Sequence, residues 1–251
     1  GADRHVTGVM TPRGAFVARR EVVLSCGALD TPRILMLSGI GPADELARLG
    51  IQPRHALAQV GAHLLDHPAA CVNVASRRAV TPDELWNYSG VLFARVENES
   101  AAWPDIEIQL GPELFEQQTA PAGFPSAPDG FTAYMTVNRA RSEGSVRLRS
   151  ADPDEAPLID AAYFTDPDGY DLRVMMEGIR FARRLFGMPA LNGWLGDELA
   201  PGSRLASDDE LASYIRETAT TGYHPGGTCR MGAADDPLSV VDPQLRVVGM
   251  G

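Results

Sequence analysis

The chain has 251 residues, with 33 Asp and Glu against 22 Lys and Arg, for a formal net charge of −11. Every one of those 22 positive residues is arginine, which excludes Schiff-base, pyridoxal-phosphate and P-loop chemistry, all of which need a lysine amine. The acidic balance argues against nucleic acid or an anionic membrane as partner, while 44% hydrophobic and 22% charged residues describe an ordinary globular chain of one large or two modest domains.

Residues 1–29 alternate in short β-like runs, and the β-branched stretch at 20–25 predicts a buried strand. A helix start follows, with Thr31 as N-cap, Pro32 at the first helical position and an apolar run over 34–37. Gly39-Ile40-Gly41-Pro42-Ala43-Asp44 begins like a dinucleotide fingerprint, but it lacks the third glycine and follows a helix signal instead of a strand. It reads as a turn between two helices, the second over 42–49 and stopped by Gly50 in a left-handed cap.

His63-Leu64-Leu65-Asp66-His67 has the histidine spacing of an inverted zinc-protease motif, yet Pro68 pushes His67 out of helical geometry. Two ligands without a helix do not make a metal site, so none is expected. Period-two alternation over 105–110, 131–137 and 145–149 predicts strands with one wet face and therefore an antiparallel sheet. Between them, 119–130 is rich in Pro, Ala and Gly and reads as a loop.

An amphipathic helix covers 170–186, with Leu172, Met175, Met176, Ile179 and Phe186 on one face. Another opens with Ser207 and Glu210 in capping-box spacing and carries Leu211, Tyr214 and Ile215. The fold class is thus α/β (α+β), with α/β at the start, antiparallel strands and helices in the middle, and a mixed tail. Cys26, Cys71 and Cys229 form no CxxC pair, which disfavours a disulfide scaffold or cysteine zinc site and suits the cytoplasm better than export. No apolar stretch is long enough to span a bilayer, and no Gly-x-Ser-x-Gly nucleophile elbow occurs. The chain opens on Gly1 and closes on strand-like Val247-Val248, which reads as an internal piece of a longer protein.

The most unusual segment runs from Thr220 to Gly232 and holds Tyr223-His224-Pro225-Gly226-Gly227-Thr228-Cys229-Arg230-Met231. An imidazole flanked by an aromatic ring and a proline, inside glycines that permit close approach, is placed to meet a flat ligand.

These segments resemble the glucose–methanol–choline (GMC) oxidoreductases. Gly27-Ala28-Leu29-Asp30-Thr31-Pro32-Arg33-Ile34-Leu35-Met36-Leu37-Ser38-Gly39-Ile40-Gly41 is similar to the family's second signature. Val60-Gly61-Ala62-His63-Leu64-Leu65-Asp66-His67-Pro68 resembles its passage into the substrate domain, and 142–150 the strand opening its C-terminal region. Tyr223-His224-Pro225 resembles the segment carrying its catalytic histidine.

The resemblance implies a partial FAD-binding α/β domain interleaved with an antiparallel-sheet substrate domain flanked by helices. Residues 1–67 would be the C-terminal part of the first FAD-binding segment, 68–206 the substrate domain, and 207–251 the return to the FAD-binding domain. It implies an FAD-dependent oxidation of a primary or secondary alcohol, choline-like or other. His224 would be the base, Tyr223 would border the substrate, and Ser25, Gly27 and Ala28 would lie near the FAD. The resemblance leaves the electron acceptor open between oxygen and a quinone or artificial acceptor, and an intact flavin cradle is not expected of this piece alone. Three departures accompany the match. The GxGxxG strand–turn–helix is absent, the second active-site His or Asn lies beyond Gly251, and His63 stands where the family commonly has Asn. Rival readings are a non-catalytic module that keeps the fold, and a GMC-like hydroxynitrile lyase. Pocket walls are expected from Trp86, Tyr88, 115–124 and Tyr223, with Glu113, Glu116 and Trp86 available to a cation.

Overall fold

The computed structural model describes residues 4–80, 90–97 and 102–250, so the expected pocket residues Trp86 and Tyr88 lie outside it. The first elements in chain order are β1 (Gly8–Thr11), β2 (Gly14–Val17), α1 (Gly27–Leu37), β3 (Ile40–Gly41), α2 (Ala43–Arg48) and β4 (His55–Ala56). Then come β5 (Pro68–Ser76), β6 (Gly90–Ala94), β7 (Ile106–Gly111), α3 (Glu116–Thr119), β8 (Gly130–Val137), β9 (Ser145–Arg147) and β10 (Leu158–Asp160). The last are α4 (Tyr170–Phe186), β11 (Leu195–Ala200), α5 (Asp208–Thr218) and β12 (Thr220–Thr221). By contact the chain divides into two units. One takes the residues up to Leu65, Glu143–Ala162 and those from Pro225 onward; the other takes Asp66–Ser142 and Tyr163–His224. The class is mixed α/β with an antiparallel sheet and helices, as expected.

The first unit is built from short pieces. β1 and β2 form a hairpin, β9 and β10 another, and β3 pairs in parallel with β4. Gly39-Ile40-Gly41 is therefore not simply a turn between helices. Helix α1 begins at Gly27 rather than after Thr31, and Pro32 lies inside it. Gly27, at φ +77°, makes the sharp entry that a side chain would resist. Thr31 does not cap the helix; its hydroxyl accepts the Cys26 N–H at 3.1 Å.

Pro32 has no N–H for the carbonyl of Ala28 four residues back, and the Thr228 hydroxyl donates to that carbonyl instead, at 2.5 Å. Residues 21–25 form no strand, and Val23 is 75% exposed. Among the described residues no strand flanks them, so β propensity has no ladder to enter. The core here is small: Leu35, Met36, Leu46, Val60, Leu148 and Val240.

The second unit is organised by one six-stranded antiparallel sheet with the path β11-β5-β8-β7-β6. The free edge of β5 is shared, β11 pairing with Asn73–Ser76 and β12 with Pro68 and Ala69. β8 was expected to have one wet face, but it is buried almost throughout. Helix α4 lays Met175, Ile179 and Ala182 into the cluster formed with Val72, Ile106, Ile108 and Met135. Ala69, Cys71, Tyr134 and Phe115 form a second, smaller apolar cluster on these strands.

Thr132, one of two buried threonines on β8, keeps its polarity satisfied by donating to Asn73 Oδ1 at 2.7 Å. Leu172 and Phe186 of α4 are only partly buried, and Val174, Gly178 and Ala182 complete the inward face. At Gly178 the helix comes so close that a Cβ would stand 2.2 Å from Ile106 Cδ1. Both parts of the capping box at Ser207 and Glu210 are present. Among the described residues no helix is long and apolar enough to cross a membrane.

Candidate active site

The two-residue ladder of β12 on β5 brings the segment after Thr221 beside Asp66 and His67. Thr220 pairs with Ala69 and Thr221 with Pro68, and the Gly222 N–H donates to the His67 carbonyl at 2.7 Å. Tyr223 then turns the chain with φ +65°, its N–H held by the Thr221 hydroxyl at 2.8 Å. The turn leaves the Tyr223 ring and the His224 residue exposed.

A buried carboxylate lies under this turn. Asp66, 8% exposed, accepts the N–H groups of His67 and His224 on Oδ1, at 2.8 and 3.0 Å. Its Oδ2 accepts the hydroxyls of Tyr163 and Thr221, each at 2.5 Å. Tyr134 donates to the Thr221 carbonyl at 3.2 Å, tying the same turn to β8. Four donors on two oxygens satisfy a carboxylate that would be costly to bury alone. Burial first, and then the hydrogen bond to Asp66, push the Tyr163 hydroxyl well above the ordinary tyrosine range, so it stays protonated and donating.

The imidazoles of His67 and His224 stand 5.1 Å apart between ring centroids, tilted by 45°. Burial, and then the positive charge His224 would carry, hold His67 below its usual pKa, partly opposed by Asp66 and Glu107. A neutral His67 thus lies beside the imidazole of an exposed residue whose main-chain N–H is fixed.

Of the residues expected from sequence, His224 and Tyr223 lie in this turn. Ser25, Gly27 and Ala28 lie in the first unit, at the entry to α1, where Ser25 and Gly27 are exposed. His63 and His67 are not joined by a helix. The His63 Nδ1 bonds Glu143 Oε2 at 2.5 Å, and among the described residues no three metal-ligating side chains converge. Phe115 stacks on Tyr134 at 4.9 Å and Phe124 meets Tyr214 edge-on, so both are committed to packing. Glu116 accepts the Ser126 hydroxyl.

The three cysteines are free; burial raises Cys71 to about 12 and Cys229 to about 11, which leaves both as inert thiols. Sequence reasoning missed Asp66, Thr221 and Tyr163 as site residues. An acid between two histidines in a chain that cannot be helical was the available signal.

Residues 4–69 and 140–251 match two family models, each described as GMC oxidoreductase. The chain belongs to that family. It is 44% identical to choline oxidase of Arthrobacter globiformis over 255 residues, covering 99% of this chain and 46% of that protein. It is 34% identical to an oxygen-dependent choline dehydrogenase of Rhizobium etli, covering 97% of this chain and 48% of that one. The chain spans about half the length of these curated relatives. Among solved structures it is similar to pyridoxine 4-oxidase from Mesorbium loti, with TM-score 0.87 and 28% identity over 99% of this chain and 48% of that one. A formate oxidase structure follows with TM-score 0.85 and 29% identity, covering 99% of this chain and 52% of that one.

The family and its solved neighbours are flavoproteins, and the entry to α1 suits such a cofactor. No side chain caps the first turn of α1, and beyond its own chain neighbours and helix backbone nothing lies within 4 Å of where a Gly27 Cβ would be. A polar edge of a ligand can therefore reach the helix-start amides.

Proposed function

We propose that the complete protein is an FAD-dependent alcohol oxidoreductase of the choline-oxidising kind, with His224 as the base. The observation that carries this reading is the exposed His224 residue, held through its own N–H by a buried, fully bonded carboxylate. The 44% identity to a choline oxidase supports the substrate class. Bound FAD supplies the hydride acceptor that alcohol oxidation needs.

The chain's own residues do the rest. His224 accepts the substrate hydroxyl proton on a ring nitrogen as the C–H bond gives up hydride. The neutral state of His67 leaves that proton without a second positive charge beside it. Tyr223 borders the alcohol and offers an aromatic face to a quaternary ammonium. Ser25, Gly27 and Ala28 hold the cofactor mainly through the main chain, since two of the three have no side chain able to hydrogen-bond. Oxygen is the acceptor to test first, against a quinone.

The test is anaerobic mixing of the full-length flavoprotein with choline and a panel of primary alcohols. Loss of the oxidised flavin absorbance with choline is the expected result. An unbleached flavin with every alcohol would contradict the reading, and cyanohydrin cleavage without bleaching would favour a lyase.

A further inference from the structure

We propose that Asp66 is the positioning residue of His224: its carboxylate fixes the main chain that presents the imidazole, and it touches no substrate. This rests on the reading of His224 as the base. The β12–β5 ladder sets the register only as far as Gly222, whose N–H meets the His67 carbonyl. Past that point Tyr223 takes a left-handed φ of +65°, a conformation that costs a residue with a Cβ and persists only where surrounding bonds hold it.

The bond that holds the next residue is His224 N–H to Asp66 Oδ1, spanning 158 positions of sequence. The same oxygen takes the His67 N–H, so one atom ties together the backbones of both histidines. The other oxygen is locked by Thr221 of β12 and Tyr163 of the stretch between β10 and α4, which keep the carboxylate from rotating. A carboxylate placed merely to satisfy one strand end would not need donors from the His67 backbone, the Thr221–His224 turn and Tyr163 together. Misplacing a catalytic group by about 1 Å can cost on the order of a hundredfold in rate, so a clamp on the base acts on turnover rather than on substrate affinity.

The experiment compares four variants of the full-length flavoprotein with the parent: Asp66→Asn, His224→Ala, their double mutant, and Thr221→Val with Tyr163→Phe. Each is measured for kcat, KM for choline, flavin content and Tm. Asp66→Asn is expected to lower kcat about ten- to a hundredfold, with KM and flavin content unchanged within about twofold. The double mutant is expected to be no slower than His224→Ala, because Asp66 acts through His224. Thr221→Val with Tyr163→Phe keeps the carboxylate but frees it to rotate, and is expected to lower kcat severalfold; it decides the matter if Asp66→Asn does not fold.

A disabled His224→Ala beside an Asp66→Asn of normal kcat, even with a lowered Tm, would overturn the assignment of Asp66 alone. Additive losses in the double mutant would overturn it too. An active His224→Ala would instead overturn the reading of the base, and the positioning role with it.

Discussion

The second unit closes its own core, whereas the first leaves much of its β-forming sequence without a sheet. In the second, α4 lies on β5, β7 and β8, and even the polar Thr132 of β8 is buried and bonded. In the first, strands of two to four residues pair two by two, and Met10, Val17 and Val23 stand exposed. The candidate base and its carboxylate lie in the self-sufficient unit, and the candidate flavin contacts in the other. Rigid placement of an imidazole needs a core that does not move, while a helix entry meant for a ligand needs open amides.

The sharpest test of the contrast is a pair of core and surface truncations. Ile179→Ala removes a fully buried side chain under the sheet and should cost about 2–5 kcal/mol by chemical denaturation. Val23→Ala should change stability by less than about 0.5 kcal/mol. A large effect of Val23→Ala would mean that residues 21–25 are covered in solution.

Next in size, Thr228→Val leaves the Ala28 carbonyl without the partner that Pro32 denies it. A loss of about 1–3 kcal/mol is expected, and Pro32→Ala in the same background should return part of it by restoring a helical N–H. Ser207→Ala strips the capping box of α5 and should cost about 1 kcal/mol, read as a fall in Tm.

The smallest effect is one of pH. His67 is held neutral in the fold, with a pKa below the unfolded value of 6.5. As pH falls below 6.5, the unfolded chain binds a proton that the folded chain refuses, so this contribution is complete above 6.5 and is lost on the acid side. Tm should therefore drop more between about pH 7.5 and 5.5 in the parent than in His67→Gln. Equal drops would show that His67 is not the group responsible.

What the sequence showed in advance follows the range of the interactions. Helix α4 and the Ser207 capping box were legible because periodicity and capping act over a few residues. The buried face of β8 was not, because the layers that cover it come from Phe115 and α4, remote in sequence. Thr31 does not start α1: it lies inside the helix, which begins at Gly27, and its hydroxyl accepts the Cys26 N–H. The same rule divides the site. His224 and Tyr223 stood out in one unusual segment, while Asp66 meets His224 and Tyr163 across 158 and 97 residues, separations that no local pattern reports.

The most direct measurement is the rate of anaerobic flavin reduction by choline in the full-length protein, for the parent and His224→Ala. The account predicts a fall of at least about a hundredfold with flavin content unchanged, the scale of losing a general base. Reduction at the parent rate in His224→Ala would contradict it.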